Sequence, residues 1–308
     1  MVLVEDFGKM KRNAILGWIL VLALLMSLFC MPAMAEDAET GWWNILLLGS
    51  DSRDAEHYLR TDSIIILSVN REKGKAKMTS VMRDTWVEIP GQTEKAKINQ
   101  ACAIGGPELT IETVNQCFDM DIQHYVLVNM DDLVYFVDRV GGIDLNITRS
   151  ELKWTNQYAS DYLWDMQGVE PYEGETQLDD YGDVHMNGLL AMSYCRNRYS
   201  DNDYRRVMRQ QKVLKTLAKK VQKLDTMEML GLLNEALGRV ETNLTLLDLM
   251  SLSDVGMTIK VDDIDQYRIP ASGTYKAGMK DELWTIRPDF EENAKLLHEF
   301  IYGKYNKK

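Results

Sequence analysis

The chain has 308 residues, 45% of them hydrophobic and 27% charged, with a formal net charge of −12. That is enough chain for one large domain or two small ones, and the composition is that of a globular protein, not a disordered or fibrous one. An acidic surface repels phosphate backbones and no basic amphipathic stripe offsets it, so nucleic acid is excluded as a partner.

The first element is apolar. Residues 13–35 carry no charge and 15–31 are almost wholly hydrophobic, close to what a hydrocarbon core of about 30 Å requires. Lys9, Lys11 and Arg12 precede this run while Glu36, Asp37 and Glu39 follow it, which places the N-terminus in the cytoplasm and the rest outside. The expected organisation is a cytoplasmic N-terminus (1–12), a transmembrane signal-anchor (13–35), a linker (36–42) and an extracytoplasmic domain (43–305) held at the cell membrane. Ala33-Met34-Ala35 also fits the small-residue pattern at which signal peptides are cut, so removal of the segment is the alternative. Without residues 1–35 the body holds 32 basic against 45 acidic residues, a charge of −13.

Cys30 falls in the apolar run, and Cys102, Cys117 and Cys195 lie beyond it. An odd external count without C-x-x-C spacing predicts buried thiols in preference to a disulfide framework or a zinc site, with a Cys102–Cys117 bridge as the lesser reading. The four histidines, His57, His124, His185 and His298, are likewise too scattered for zinc.

After the linker, 43–48, 64–69 and 77–82 read as apolar strands. The polar loop 70–75 joins the last two as a hairpin whose partners sum to 145, which puts Asp62 opposite Arg83. Gly105-Gly106-Pro107 punctuates the chain and opens a helix with Ile111, Val114 and Phe118 on one face. A strand over 125–128, a helix over 131–140 closed by Gly141-Gly142, and a strand over 143–147 follow. Alternation of this kind predicts an α/β fold. Residues 151–183 contain nine acidic residues and only Lys153 as a base, and read as a surface insertion or flap beside the site. Helices are expected over 204–224, 226–238 and 246–256, then a strand over 264–269 and a final helix over 288–302.

Polar residues stand where a fold ordinarily avoids them. In the 204–224 helix, Val213, Leu214, Leu217, Val221 and Leu224 form an apolar stripe, and Arg209, Lys212, Thr216, Lys219 and Lys223 another face. Continued upstream, the apolar stripe reaches Arg206, Val207 and Gln210. A buried arginine needs a partner: an anionic ligand, or an internal carboxylate such as Asp201 or Asp203. Arg196 and Arg198 flank Asn197, and in extended chain both point the same way, as two forks suited to phosphate oxygens or as an ordinary solvated pair. Asp51 and Asp62 at strand ends are either turn-forming residues or hard ligands for a divalent ion completed by phosphate oxygens. With Arg60 and Arg83, the set reads as a diphosphate site. No G-x-S-x-G, P-loop or G-x-G-x-x-G occurs, which removes support from nucleophile-elbow hydrolase and nucleotide-binding readings.

In order, NILLLGSDSR, RTDSIIILSVN, MRDTWVEIPG, KINQACAIGGPEL, HYVLVNMDDL, VGGIDLNI, NGLLAMSYCRNRY and DNDYRRVMRQQKVLK resemble the LytR-CpsA-Psr family over about residues 43–225. RIPASGTY and the final helix resemble its usual ending. The resemblance implies an α/β/α sandwich with a central mixed sheet and a hydrophobic pocket for a polyprenyl chain. It implies transfer of a phospho-glycopolymer from an undecaprenyl-diphosphate carrier to peptidoglycan, with Mg²⁺ or Mn²⁺. By motif position it assigns the metal to Asp51 and Asp62 and the diphosphate to Arg60, Arg83, Arg196, Arg198 and Arg206 with Gln210 beside them. Arg53 is a weaker candidate. Asp62, Arg83 and Arg206 are the expected catalytic residues. A lipid diphosphatase with the same site and a non-catalytic polymer-binding module are the rival readings.

Overall fold

The computed structural model describes residues 41–50, 60–165, 176–197, 203–280 and 282–305, and residues 37–308 form one compact unit. The apolar run 13–35, Asp51, Arg53 and Arg198 lie outside the described residues. No helix among the described residues is long and apolar enough to cross a membrane.

Three strands set the frame: β1 (Trp42–Ser50), β2 (Thr61–Asn70) and β3 (Lys75–Val81). They form an antiparallel meander in which Val69 pairs with Ala76 and Ile65 with Ser80, the register expected from the loop. Short β4 (Trp86–Val87) pairs with β5 (Ala96–Lys97). Helix α1 (Ala101–Phe118) follows, and Gly105 and Gly106 interrupt it, the latter at φ 75°, ψ −170°. Only glycine adopts that conformation at little cost, so regular helix restarts at Pro107 as the sequence predicts.

Next come β6 (His124–Val128), α2 (Met130–Arg139), β7 (Ile143–Ile147), α3 (Arg149–Asp165), β8 (Gly182–Met186), α4 (Gly188–Arg196) and α5 (Asp203–Val221). Then α6 (Thr226–Arg239), β9 (Glu241–Thr242), α7 (Leu246–Thr258) and β10 (Asp265–Ile269) lead to a hairpin, β11 (Tyr275–Lys280) and β12 (Leu283–Pro288), and to α8 (Phe290–Tyr302). The main sheet runs β10-β3-β2-β1-β6-β9. It is mixed, because β6 is parallel to β1 and β10 to β3.

Alternation along the strands sorts the two faces. Leu46, Leu48, Ile64 and Ile66 pack with Val114 and Phe118 of α1 and Leu297 and Ile301 of α8. Burying each such side chain contributes about 1.5–3 kcal/mol. Leu47 and Ile65 point the other way, toward α5. The result is helix, sheet, helix.

A second core forms beyond α5 from Val137, Ile143, Leu145, Ala159, Tyr162, Leu178, Leu189 and Val213. This corrects the reading of 151–183 as a surface flap for its first half, since α3 buries Thr155, Ala159 and Tyr162 on one face, and of its acidic residues Asp161 is exposed while Glu151 turns inward to Arg209. The close packing depends on Gly188, where a Cβ would lie 2.1 Å from the Val134 carbonyl oxygen, so only glycine lets α4 start against α2. Cys102, Cys117 and Cys195 are free thiols, and burial pushes them up to about 11, 12 and 12 respectively.

Candidate active site

The sheet face beneath α5 encloses a cavity of about 430 Å³. Leu47, Ile65, Val126, Leu133, Val213 and Leu214 supply apolar wall, whereas Ser50, Asp62, Arg196, Arg206 and Gln210 stand in its polar lining. β1 and β2 place the polar group at their Ser50 and Thr61 ends, where the register slips by one residue between Gly49 and Ser50.

At that end Asp62 faces two guanidiniums. Arg83 Nη1 donates to its Oδ1 at 2.7 Å, and Arg206 Nη1 stands 3.6 Å from its Oδ2. Arg206 Nη2 also donates to the Asp62 carbonyl at 3.1 Å, which fixes the start of α5 over the end of β2. A small crevice lined by Asp62, Ser80, Arg83, Arg206 and Gln210 adjoins the cavity. Two guanidiniums thus converge on the Asp62 carboxylate at the edge of the cavity. In a partly desolvated wall such forked donors suit an anion with several oxygens.

Asp84, 7% exposed, holds Arg83 from the far side, with Oδ2 3.7 Å from Nε. Lys97 donates to its other oxygen at 2.7 Å. Sequence reasoning missed this brace because Asp84 and Lys97 belong to different short segments, which only the β4–β5 pairing brings together. Gln211 was likewise missed: it donates to Ser80 Oγ at 2.9 Å and ties α5 to β3.

Not every expected residue converges. Arg60 is exposed on the chain entering β2 and does not line the cavity. Arg196 lines it, but as the last residue of helix α4, not in extended chain: the Asn187 cap and the apolar run Leu189–Met192 carry the helix through it. Its guanidinium lies 5.8 Å from the Tyr158 ring centroid. Arg209, expected on the polar face of α5, is 3% exposed. Its Nη2 donates to the Asn197 carbonyl at 2.6 Å and its Nη1 lies 3.6 Å from Glu151 Oε1. The helix is covered on two sides, by the sheet and by α4, so an additional polar position is buried. Burial raises the Glu151 pKa, but hydrogen bonds from Thr148 and the Arg209 charge outweigh it and leave the carboxyl below its ordinary range. Lys212 is half-buried and donates to the Asn146 carbonyl.

Among the described residues no three His, Cys, Asp or Glu side chains gather as a metal-binding group, and Asp62 is the one carboxylate in the cavity lining. Mg²⁺ bound through one or two carboxylates, with phosphate oxygens and water completing the shell, needs no larger protein donor set. The hard oxygen chemistry of Asp62 fits such an ion.

The sequence matches the LytR_cpsA_psr family model over residues 30–296. It is 32% identical over 235 residues to the polyisoprenyl-teichoic acid–peptidoglycan teichoic acid transferase TagU of Halalkalibacterium halodurans, covering 75% of this chain and 70% of that one. Coverage of such relatives falls to 55% for the Enterococcus faecalis protein. Among solved structures, Bacillus subtilis TagV superposes with a TM-score of 0.66 at 25% identity, covering 85% of this chain and 98% of that one. A TagT structure with bound octaprenyl pyrophosphate lipid has a TM-score of 0.62 at 22% identity, covering 85% and 91%, a likeness of fold. Matched over most of its length and sharing the mixed sheet with flanking helices, the chain belongs to the LytR_cpsA_psr family.

Proposed function

We propose that this protein transfers a phospho-glycopolymer of teichoic acid or wall-polysaccharide type from a polyprenyl-diphosphate carrier to peptidoglycan. The observation that carries the reading is the joining of opposites: Asp62 and Arg206 at the end of a wall of leucine, isoleucine and valine, with Arg83 beside them in the adjoining crevice. A ligand that is both long-chain apolar and multiply anionic matches that lining. The relative from H. halodurans bears the name of such a transferase, and a TagT structure holds bound octaprenyl pyrophosphate lipid.

Arg83 and Arg206 bind the diphosphate oxygens, with Gln210 and Arg196 beside them. A muramic acid hydroxyl attacks the sugar-linked phosphorus, a new P–O bond forms, and the bond to the bridging oxygen breaks with polyprenyl phosphate leaving. Charge gathering on the leaving phosphate is stabilised by fixed guanidiniums, the kind of preorganised electrostatics that dominates phosphoryl transfer. Asp62 holds Arg83 and Arg206 in place, and is the described residue that would hold Mg²⁺, with Asp51 as its expected partner. When bound, the ion supplies further charge neutralisation at the phosphates. The residue 13–35 segment anchors the domain on the outer side of the cell membrane, where both substrates are found.

The deciding experiment incubates the full chain with lipid-linked donors and peptidoglycan and reads wall fragments by mass spectrometry. Phosphodiester-linked glycan on muramic acid is the expected product. Release of polyprenyl phosphate at the same rate without peptidoglycan would instead mark a lipid diphosphatase.

A further inference from the structure

The cavity under α5 does not end the apolar space. A second cavity of about 370 Å³ continues along the same sheet face, and Leu47 of β1 and Leu214 of α5 line both. Its floor includes Val69 and Met78, and its outer wall is made by Leu233 of α6 and Leu249, Leu252 and Met257 of α7. Lys215 borders it, but the ammonium is drawn off to the Ile264 carbonyl at 3.2 Å.

The two outer helices are apolar on a face that reaches solvent. Met227 and Leu230 of α6 are 76% and 42% exposed, and Leu246, Met250 and Met257 of α7 are 48%, 41% and 49% exposed. Spacings of four and seven residues put the three α7 side chains on one stripe. Met257 belongs to both the stripe and the cavity lining, so the exposed face is continuous with the interior space. The acidic residues of these helices are mostly engaged elsewhere: Glu228 and Asp248 close capping boxes, and Glu235 pairs with Arg139 at 2.9 Å. Asp254 is the exception beside the stripe.

This face lies at the opposite end of β1 from the charged cluster. Trp42 pairs with Asn70, and Ser50 with Thr61; eight residues of strand separate those ends by about 26 Å. The α7 end is placed by Gly74 in the β2–β3 turn, where a Cβ would lie 3.5 Å from Thr258 Oγ1, Thr258 being the last residue of α7. Strand β1 begins at Trp42, seven residues after the apolar run 13–35 in sequence, and it begins at the end where the exposed stripe lies.

We propose that the outward faces of α6 and α7 dock on the lipid bilayer. This rests on the lipid-linked donor of the preceding section. A bilayer fits better than a protein partner because the stripes are leucine and methionine, without the tryptophan, tyrosine and arginine anchors that carry most protein–protein affinity, and because a contiguous exposed apolar face of this kind calls for a covering medium.

The test uses the full chain reconstituted in phosphatidylcholine vesicles. In a Cys30→Ser background, a bimane fluorophore on Met250→Cys is read for quenching by bromolipid, with Glu94→Cys as an exposed control; the three domain thiols are held protonated by burial and label slowly. Quenching at position 250 and not at 94 is expected. In parallel, a Met227→Asp, Leu230→Asp, Met250→Asp triple variant should transfer from a vesicle-embedded undecaprenyl donor about tenfold more slowly, while transfer from a water-soluble geranyl donor stays within about twofold of wild type. Absence of quenching at 250, self-association through this face, or equal loss with both donors would overturn the proposal. A wild type inactive on both donors would defeat the transferase reading, while the quenching arm would still decide the docking face.

Discussion

Arg206 and Arg209 sit three residues apart on α5 and are each 3% exposed, yet they serve different neighbourhoods. Arg206 reaches the Asp62 carboxylate and lines the cavity. Arg209 turns to the other side, to the Asn197 carbonyl, to Glu151 and to the Tyr194 ring at 5.9 Å. Arg206 shares its carboxylate with Arg83 and lines the cavity, and Arg209 does not line it. Burial therefore does not identify a ligand-binding arginine. What it faces does.

The comparison is broken most severely at Arg209. Removing it takes the guanidinium away from Glu151 of α3 and should lower stability by about 3–5 kcal/mol, the usual consequence of breaking a buried pair. Denaturant midpoints would register that loss, while turnover per folded molecule stays near normal. Asp62→Asn should do the reverse, with transfer falling about 10²–10³-fold in a protein that still unfolds cooperatively. Arg206→Ala should slow transfer by about one to two orders of magnitude, the equivalent of about 1.5–3 kcal/mol for a charged hydrogen bond, with a smaller loss of stability than Arg209→Ala. Equal stability losses in the two arginine variants would show that the distinction is false.

A smaller effect separates the cavity wall from its charged end. Cys195 lines the cavity, and burial pushes its thiol up to about 12 despite the nearby guanidiniums. Cys102 and Cys117 are raised to about 11 and 12. An unfolded thiol ionises near pH 9, so above that pH the unfolded chain releases protons that the folded chain keeps. Stability is thus full below pH 9 and falls as the pH rises toward 11, by about 1 kcal/mol per thiol near pH 10. Thermal melts from pH 7 to 10.5 measure the decline, and Cys195→Ala should make it shallower without loss of transfer at pH 7. Lys212→Ala should have the least effect of all, about 1 kcal/mol or less in stability, with normal turnover.

The strongest sequence signals were those with a fixed period. Loop length sets the β2–β3 register and so places Asp62 beside Arg83; the α5 stripe locates Arg206 and Gln210 by helical spacing. Arg209 escaped because a single stripe describes a helix covered on one side, and α5 is covered on two. Arg196 was misread as extended because a short run of apolar residues between two polar ones carries no helical signal of its own. Asp84 and Lys97 depend on tertiary pairing that local pattern does not encode. The acidic segment misled by composition: its charge concealed a face of α3 built from Thr155, Ala159 and Tyr162, to which even the acidic Glu151 adds an inward contact with Arg209.

The central claim is that the guanidiniums around Asp62 bind the diphosphate while the buried Arg209 belongs to the fold. Titration calorimetry of a polyprenyl diphosphate into detergent-solubilised full chain tests it most directly. Arg206→Ala should weaken binding by about tenfold or more, and folded Arg209→Ala should bind as wild type does. Wild-type affinity in Arg206→Ala, or equal weakening in both variants, would contradict the account.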